Sequence, residues 1–94
     1  MTITDIKIRL VNNAGLLKAV SSVTFDDQFV VHDIKVIKTD ERLFIVMPSK
    51  KVSNETYKDI AHPINSEFRS VLESSILEEF RKAVAEENVS EASE

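Results

Sequence analysis

Cysteine and tryptophan are absent from this 94-residue chain, glycine occurs once, and proline only twice. Without cysteine there is no disulfide framework, no thiolate zinc site and no cysteine nucleophile, so stability has to come from burial. A single glycine excludes the Gly-rich loops that cradle phosphates. No apolar run approaches the roughly 20 residues that span a bilayer, and Met1–Asp5 lacks the basic-then-apolar pattern of an export signal. The expectation is one folded cytoplasmic domain without membrane insertion.

What is present is ordinary for a globular domain: 43% hydrophobic and 30% charged residues. The net charge of −4 is unevenly spread. Residues 1–72 hold 10 Lys/Arg against 9 Asp/Glu, whereas residues 73–94 hold 7 Glu against Arg81 and Lys82. The acidity belongs to the C-terminal segment and says little about what the rest of the chain meets.

From Ile3 to Val11, Ile6, Ile8 and Leu10 alternate with Asp5, Lys7 and Arg9, the period of a half-buried strand. Asn12–Gly15 follows, with residues that tolerate the positive φ of a hairpin turn. Leu16–Phe25 and Phe29–Lys38 are β-branched-rich runs separated by Asp26-Asp27-Gln28, and Thr39–Arg42 is the polar break before Leu43–Met47. Pro48 ends that fourth run because it lacks a ladder N–H, and Ser49–Glu55 reads as a polar connection.

After Pro63 the period changes. Phe68, Val71, Leu72, Ile76, Phe80, Ala83 and Val84 recur at three- and four-residue steps, one face of an amphipathic helix from about Asn65 to Glu86. Asn65 or Ser66 can supply the N-cap oxygen, and Glu78 with Lys82 forms a favourable i, i+4 pair. Residues 1–86 are then a single domain and residues 87–94 a polar, disordered tail.

The predicted fold is α+β, a four-stranded antiparallel meander sheet followed by one long C-terminal amphipathic helix. Four strands about 4.8 Å apart make a sheet roughly 19 Å wide, and a helix about 10 Å across covers only part of it. Strict alternation puts Phe29, Val31 and Ile37 on one face of the third strand and Val30, Ile34 and Val36 on the other, so both faces need cover. A homodimer, by strand pairing or sheet packing, is the expected solution.

Candidate chemistry is sparse. His32 beside Asp33 suggests a metal or acid–base pair, but consecutive strand residues point to opposite faces. The simpler reading makes His32 a hydrogen-bonded structural residue among Val30, Ile34 and Val36, with Asp33 paired to Lys35 or capping a loop. Asp59 and His62 are placed to form a dyad, yet no nucleophile or oxyanion site accompanies them, so neither an enzyme nor a cofactor is expected. Lys50, Lys51, Lys58 and Arg69 flank the entry into the helix, where they either meet phosphate or form a solvated basic loop. Tyr57 alone is too little for a base-stacking platform.

Three segments carry a resemblance: Phe29-Val30-Val31-His32-Asp33-Ile34-Lys35-Val36-Ile37, Leu43-Phe44-Ile45-Val46-Met47-Pro48-Ser49-Lys50-Lys51, and Asp59-Ile60-Ala61-His62-Pro63-Ile64-Asn65. In their order and spacing the chain resembles the SpoVG family of bacterial septation regulators, from Ile3 to about Leu72. It departs from the family where Val46 replaces the usual alanine and where Val52-Ser53-Asn54-Glu55 replaces a loop containing Pro, Asp and Gly. The resemblance implies a cytoplasmic homodimer associated with septum formation and sporulation, binding DNA or RNA, with no catalysis and no cofactor. It also implies a binding region at the helix start, here Ser66, Glu67, Phe68, Arg69, Ser70 and Val71; with the adjoining basic residues named above, the candidate nucleic-acid-binding residues are Lys50, Lys51, Lys58, Ser66, Arg69 and Ser70. The alternative is a protein–protein interaction module of the division machinery that does not touch nucleic acid.

Overall fold

Alternation over the first half of the chain produces β1 (Ile3–Leu10), β2 (Leu17–Phe25), β3 (Phe29–Lys38) and β4 (Leu43–Val46). They form one antiparallel sheet in the order β1-β2-β3-β4. This is the expected meander, and one helix, α1 (Ser66–Ala92), follows it. The computed structural model describes residues 1–11 and 15–92, with side chains through residue 86. All but Gly15 of the expected Asn12–Gly15 turn lies outside the described residues.

The β2–β3 turn has no glycine. Asp26 and Asp27 take φ of 54° and 53° instead, which aspartate tolerates better than most residues. The Gln28 N–H donates to Phe25 O at 2.9 Å and closes the turn. The Asp26 carboxylate also accepts the Thr2 N–H at 2.8 Å, tying the N-terminus to it.

β3 does not follow strict alternation. Its register with β2 shifts between the Ser21–Ile34 and Val23–Val31 pairs, and Asp33 sits at φ 64°. This bulge places His32 and Asp33 opposite Ser22 and inverts the phase of the strand. Val31, Ile34 and Val36 therefore share the helix-facing side, whereas Val30, His32 and Lys35 face outward. The expectation that Phe29 and Val31 oppose Ile34 and Val36 is corrected, while Val30, 43% exposed, stays on the outward face as expected. His32 is exposed and bonds Ser22 Oγ through Nδ1 at 2.8 Å, rather than sitting beside Ile34 and Val36. Asp33 makes no ion pair with Lys35, since the only ion pairs among the described residues are those of Lys82.

The core lies between the sheet and α1. Ala19, Val23, Phe25, Ile34, Val36, Ile45 and Met47 meet Leu72, Ile76, Leu77 and Phe80 of the helix. Buried Ser21 fits because its hydroxyl donates to Ile34 O at 3.0 Å, next to the bulge. Leu77 joins this face although the spacing did not select it, and Val71, which the spacing did select, is 54% exposed. Asn65 is the N-cap: its Oδ1 accepts the Phe68 N–H at 2.6 Å. The backbone of α1 lies closest to the edge strands β1 and β4. At β4, Glu73 Oε2 accepts the Ile45 N–H at 3.3 Å and occupies a donor that a further strand would need.

The bulge yields the first prediction. Asp33→Gly should leave stability unchanged or raise it by up to about 1 kcal/mol, because glycine takes positive φ without steric cost. Asp33→Val should lower it by about 1–2 kcal/mol, since a β-branched residue is an outlier there. Urea midpoints decide; equal stability of the valine variant and wild type would rule out a left-handed residue at this position.

Candidate nucleic-acid interface

The segment after Pro48 is not a plain connection. Ser49–Lys51 (β5) pairs antiparallel with Tyr57–Asp59 (β6) in a separate two-stranded sheet. The Val52 N–H donates to Thr56 O at 2.9 Å, and the Ile60 N–H donates to Pro48 O at 2.7 Å, so the ribbon is closed at both ends. This corrects the reading of Ser49–Glu55 as a loop. Three-residue strands with no apolar alternation carry no strand signal; only Ser53-Asn54 marks the turn between them.

The ribbon fixes the relation among the lysines. Lys50 stands directly opposite Lys58, and Lys51 opposite Tyr57. Side chains alternate across a strand, so Lys50 and Lys58 share one face while Lys51 and Tyr57 share the other. All six strand residues are exposed. Like charges directly opposite one another weaken a ribbon, so the fold gains nothing from the Lys50–Lys58 pair.

Ser66, Arg69 and Ser70 lie in the first turns of α1 and are all exposed. Their backbone is held by the Asn65 cap and by Phe68, whose ring lies 5.9 Å from that of Phe25 at 45°. Residues 60–65 join the ribbon to the helix, but no hydrogen bond or ion pair among the described residues links the lysines to Arg69. The ribbon and the helix start are two neighbouring exposed elements. In the connection, His62 Nδ1 lies 3.0 Å from Pro63 O, and no hydrogen bond or ion pair among the described residues joins His62 to Asp59.

Beside the helix start is an apolar groove of about 390 Å³, lined by Met1, Phe29, Val31, Met47, Pro63 and Phe68 among others. Ile64 at its rim is 94% exposed. Spacing could not reveal the groove, because it assembles the sheet end, the chain before the helix and the first helical turn.

Together these elements make a small α+β protein with an exposed cationic ribbon beside a capped helix. The SpoVG family profile matches residues 1–82, and the chain belongs to that family. A protein of Caldanaerobacter subterraneus is 58% identical over 83 residues, covering 88% of this chain and 91% of its own length. One from Thermoanaerobacter sp. strain X514 is 56% identical over 87 residues (93% and 95%), and one from Clostridium beijerinckii 54% over 89 residues (95% and 98%). Each of the three carries the name "Putative septation protein SpoVG".

Replacing one lysine of the opposed pair tests its cost. Lys58→Glu should stabilise the ribbon by a few tenths of a kcal/mol, turning a cross-strand repulsion into an attraction. The Val52 and Ile60 amides should then exchange with solvent more slowly, by about twofold or more. Unchanged or faster exchange would show that the two ammonium groups do not oppose each other in solution.

Proposed function

We propose that this chain is a non-enzymatic, cytoplasmic regulator of septum formation and sporulation that acts as a homodimer by binding nucleic acid. The observation that carries the reading is the exposed β5–β6 ribbon, with cations on both faces and the opposed Lys50–Lys58 pair. A two-stranded ribbon has dimensions that the major groove of a duplex admits. Cations on both of its faces suit the phosphates that flank the groove, and Arg69 at the nearby helix start adds a further contact. The septation names of its relatives support the cellular role.

The groove beside Ile64 favours self-association, since an almost fully exposed isoleucine next to an apolar depression leaves both without cover. A second copy covers them and doubles the cations available to one polyanion. The same patch supports the second reading, in which a protein of the division machinery docks there and no nucleic acid is bound.

Two measurements test these statements. If Lys50, Lys51 and Arg69 from both protomers contact phosphates, six contacts give a slope of log K against log salt of roughly −5 on duplex DNA. Lys50→Ala with Lys51→Ala should reduce it to roughly −2 while leaving stability within about 0.5 kcal/mol. Wild-type slope and affinity in the folded double variant would make the lysines a solvated ribbon, and no binding by wild type at low salt would favour the protein partner. Separately, light scattering should give a dimer mass for wild type and a monomer mass for Ile64→Asp at micromolar concentration. A wild-type monomer across micromolar to millimolar concentration would reject the dimer.

A further inference from the structure

The face of the main sheet turned away from α1 carries a second set of cations. Lys7 and Arg9 leave β1 on this side, two residues and therefore about 7 Å apart. Lys35 stands across Val20 from Arg9, because Arg9 pairs with Val20 and Val20 with Lys35. At the β4 edge the Arg42 guanidinium lies 4.4 Å from the centroid of the Phe44 ring. None of these four cations has an ion-pair partner among the described residues. Lys7, Arg9 and His32 border an open depression of about 420 Å³. Asp33 borders it too, held there by the bulge.

We infer that this open sheet face is a binding surface for single-stranded nucleic acid, distinct from the β5–β6 ribbon. The inference rests on the nucleic-acid reading above and assigns it a second site. Charge selects a polyanion, because unpaired cations outnumber the carboxylates of Asp5 and Asp33 on this face. The surface between the cations selects a single strand. Val20 and Val46 lie in the same cross-strand row as Arg9 and Lys35, presenting apolar area to the exposed faces of unstacked bases. Arg42, with one side on Phe44, offers the other side of its planar guanidinium for stacking. A duplex keeps its bases stacked inside and would use only the charges.

The test uses the full chain and fluorescence anisotropy with labelled oligothymidylate, oligouridylate and a duplex of equal length. In Lys7→Ala with Arg9→Ala, loss of two phosphate contacts should weaken single-strand binding about tenfold or more near 0.1 M salt, at roughly 0.7 in slope per contact. Duplex affinity should change much less. Asp33→Asn, which removes a carboxylate while keeping a residue that accepts positive φ, should tighten single-strand binding. Circular dichroism and sedimentation mass should match wild type for both variants. Unaltered single-strand affinity in both variants overturns the sheet-face site and leaves the ribbon reading standing. Wild type that binds none of the three probes overturns both. A Lys7/Arg9 variant that changes mass along with affinity makes the face a self-association surface and also overturns the site. Equal response of the two single-stranded probes supports recognition through phosphate and base faces; loss confined to oligouridylate supports a ribose contact in addition.

Discussion

One residue in the left-handed region, Asp33, decides which way the middle of the sheet faces. In a regular strand only every second side chain can face the helix, and the apolar residues of β3 fall into two phases, Phe29 and Val31 in one and Ile34 and Val36 in the other. The extra residue at His32–Asp33 joins the phases on the helix side. A non-glycine residue at positive φ costs about 1–2 kcal/mol, whereas fully burying one aliphatic side chain returns about 1.5–3 kcal/mol. Ile34 and Val36 are completely buried, so the bulge is favourable even before Val31 is counted. The same residue turns His32 toward Ser22, leaves the Ile34 carbonyl to the Ser21 hydroxyl, and keeps Lys35 outward.

The periodicity of the chain revealed most of this architecture and missed it where a single residue changes the phase. β1 was legible because Ile6, Ile8 and Leu10 keep step over its length, and β2 because Leu16–Phe25 is a β-branched-rich run bounded by polar turns. In β3 the His-Asp pair interrupts an apolar run, but nothing in residue type alone distinguishes a bulge from two outward-facing polar residues. Asn65 was legible as one of two cap candidates, with Ser66, because a cap's side chain acts on its own backbone neighbours. Val71 and Leu77 were misjudged because spacing alone does not fix where the buried arc of α1 is centred on the sheet. The small ribbon was illegible for a different reason: its strands bury nothing, so no hydrophobic pattern records it. Exposure of Lys50, Lys51, Lys58, Ser66, Arg69 and Ser70 could be expected from their polarity, whereas the opposition of Lys50 to Lys58 is a matter of register alone.

Net charge misleads about this molecule because its charges are segregated by layer. Glu73, Glu78, Glu79 and Glu86 belong to the helix, and Lys82 pairs with two of them at 3.5 and 3.8 Å. Lys7, Arg9 and Lys35 lie on the far side of the sheet. A helix about 10 Å across packed on a sheet separates the two outer surfaces by roughly 15–20 Å. At physiological salt the Debye length is about 8 Å, so the helix carboxylates do little to repel a polyanion lying against the sheet face. An acidic protein can therefore present a local surface that attracts phosphate.

The ribbon and the sheet face also differ in what they contribute to the fold. Lys7, Arg9 and Lys35 stand on strands whose opposite side is held by the core, so their positions are fixed whether or not a ligand is present. Lys50, Lys51 and Lys58 stand on strands three residues long that bury no side chain, and the cross-strand repulsion works against the few backbone bonds that hold them. A ligand that binds only the formed ribbon stabilises it by RT ln(1 + [L]/Kd), about 2.7 kcal/mol at a hundredfold excess over Kd. That exceeds the few tenths of a kcal/mol to about 1 kcal/mol at issue in one like-charge pair. Any polyanion bound to the formed ribbon would therefore be coupled to its formation, whereas the sheet face is a surface already formed. The two cationic surfaces differ in rigidity for one reason: only one of them has the hydrophobic core behind it.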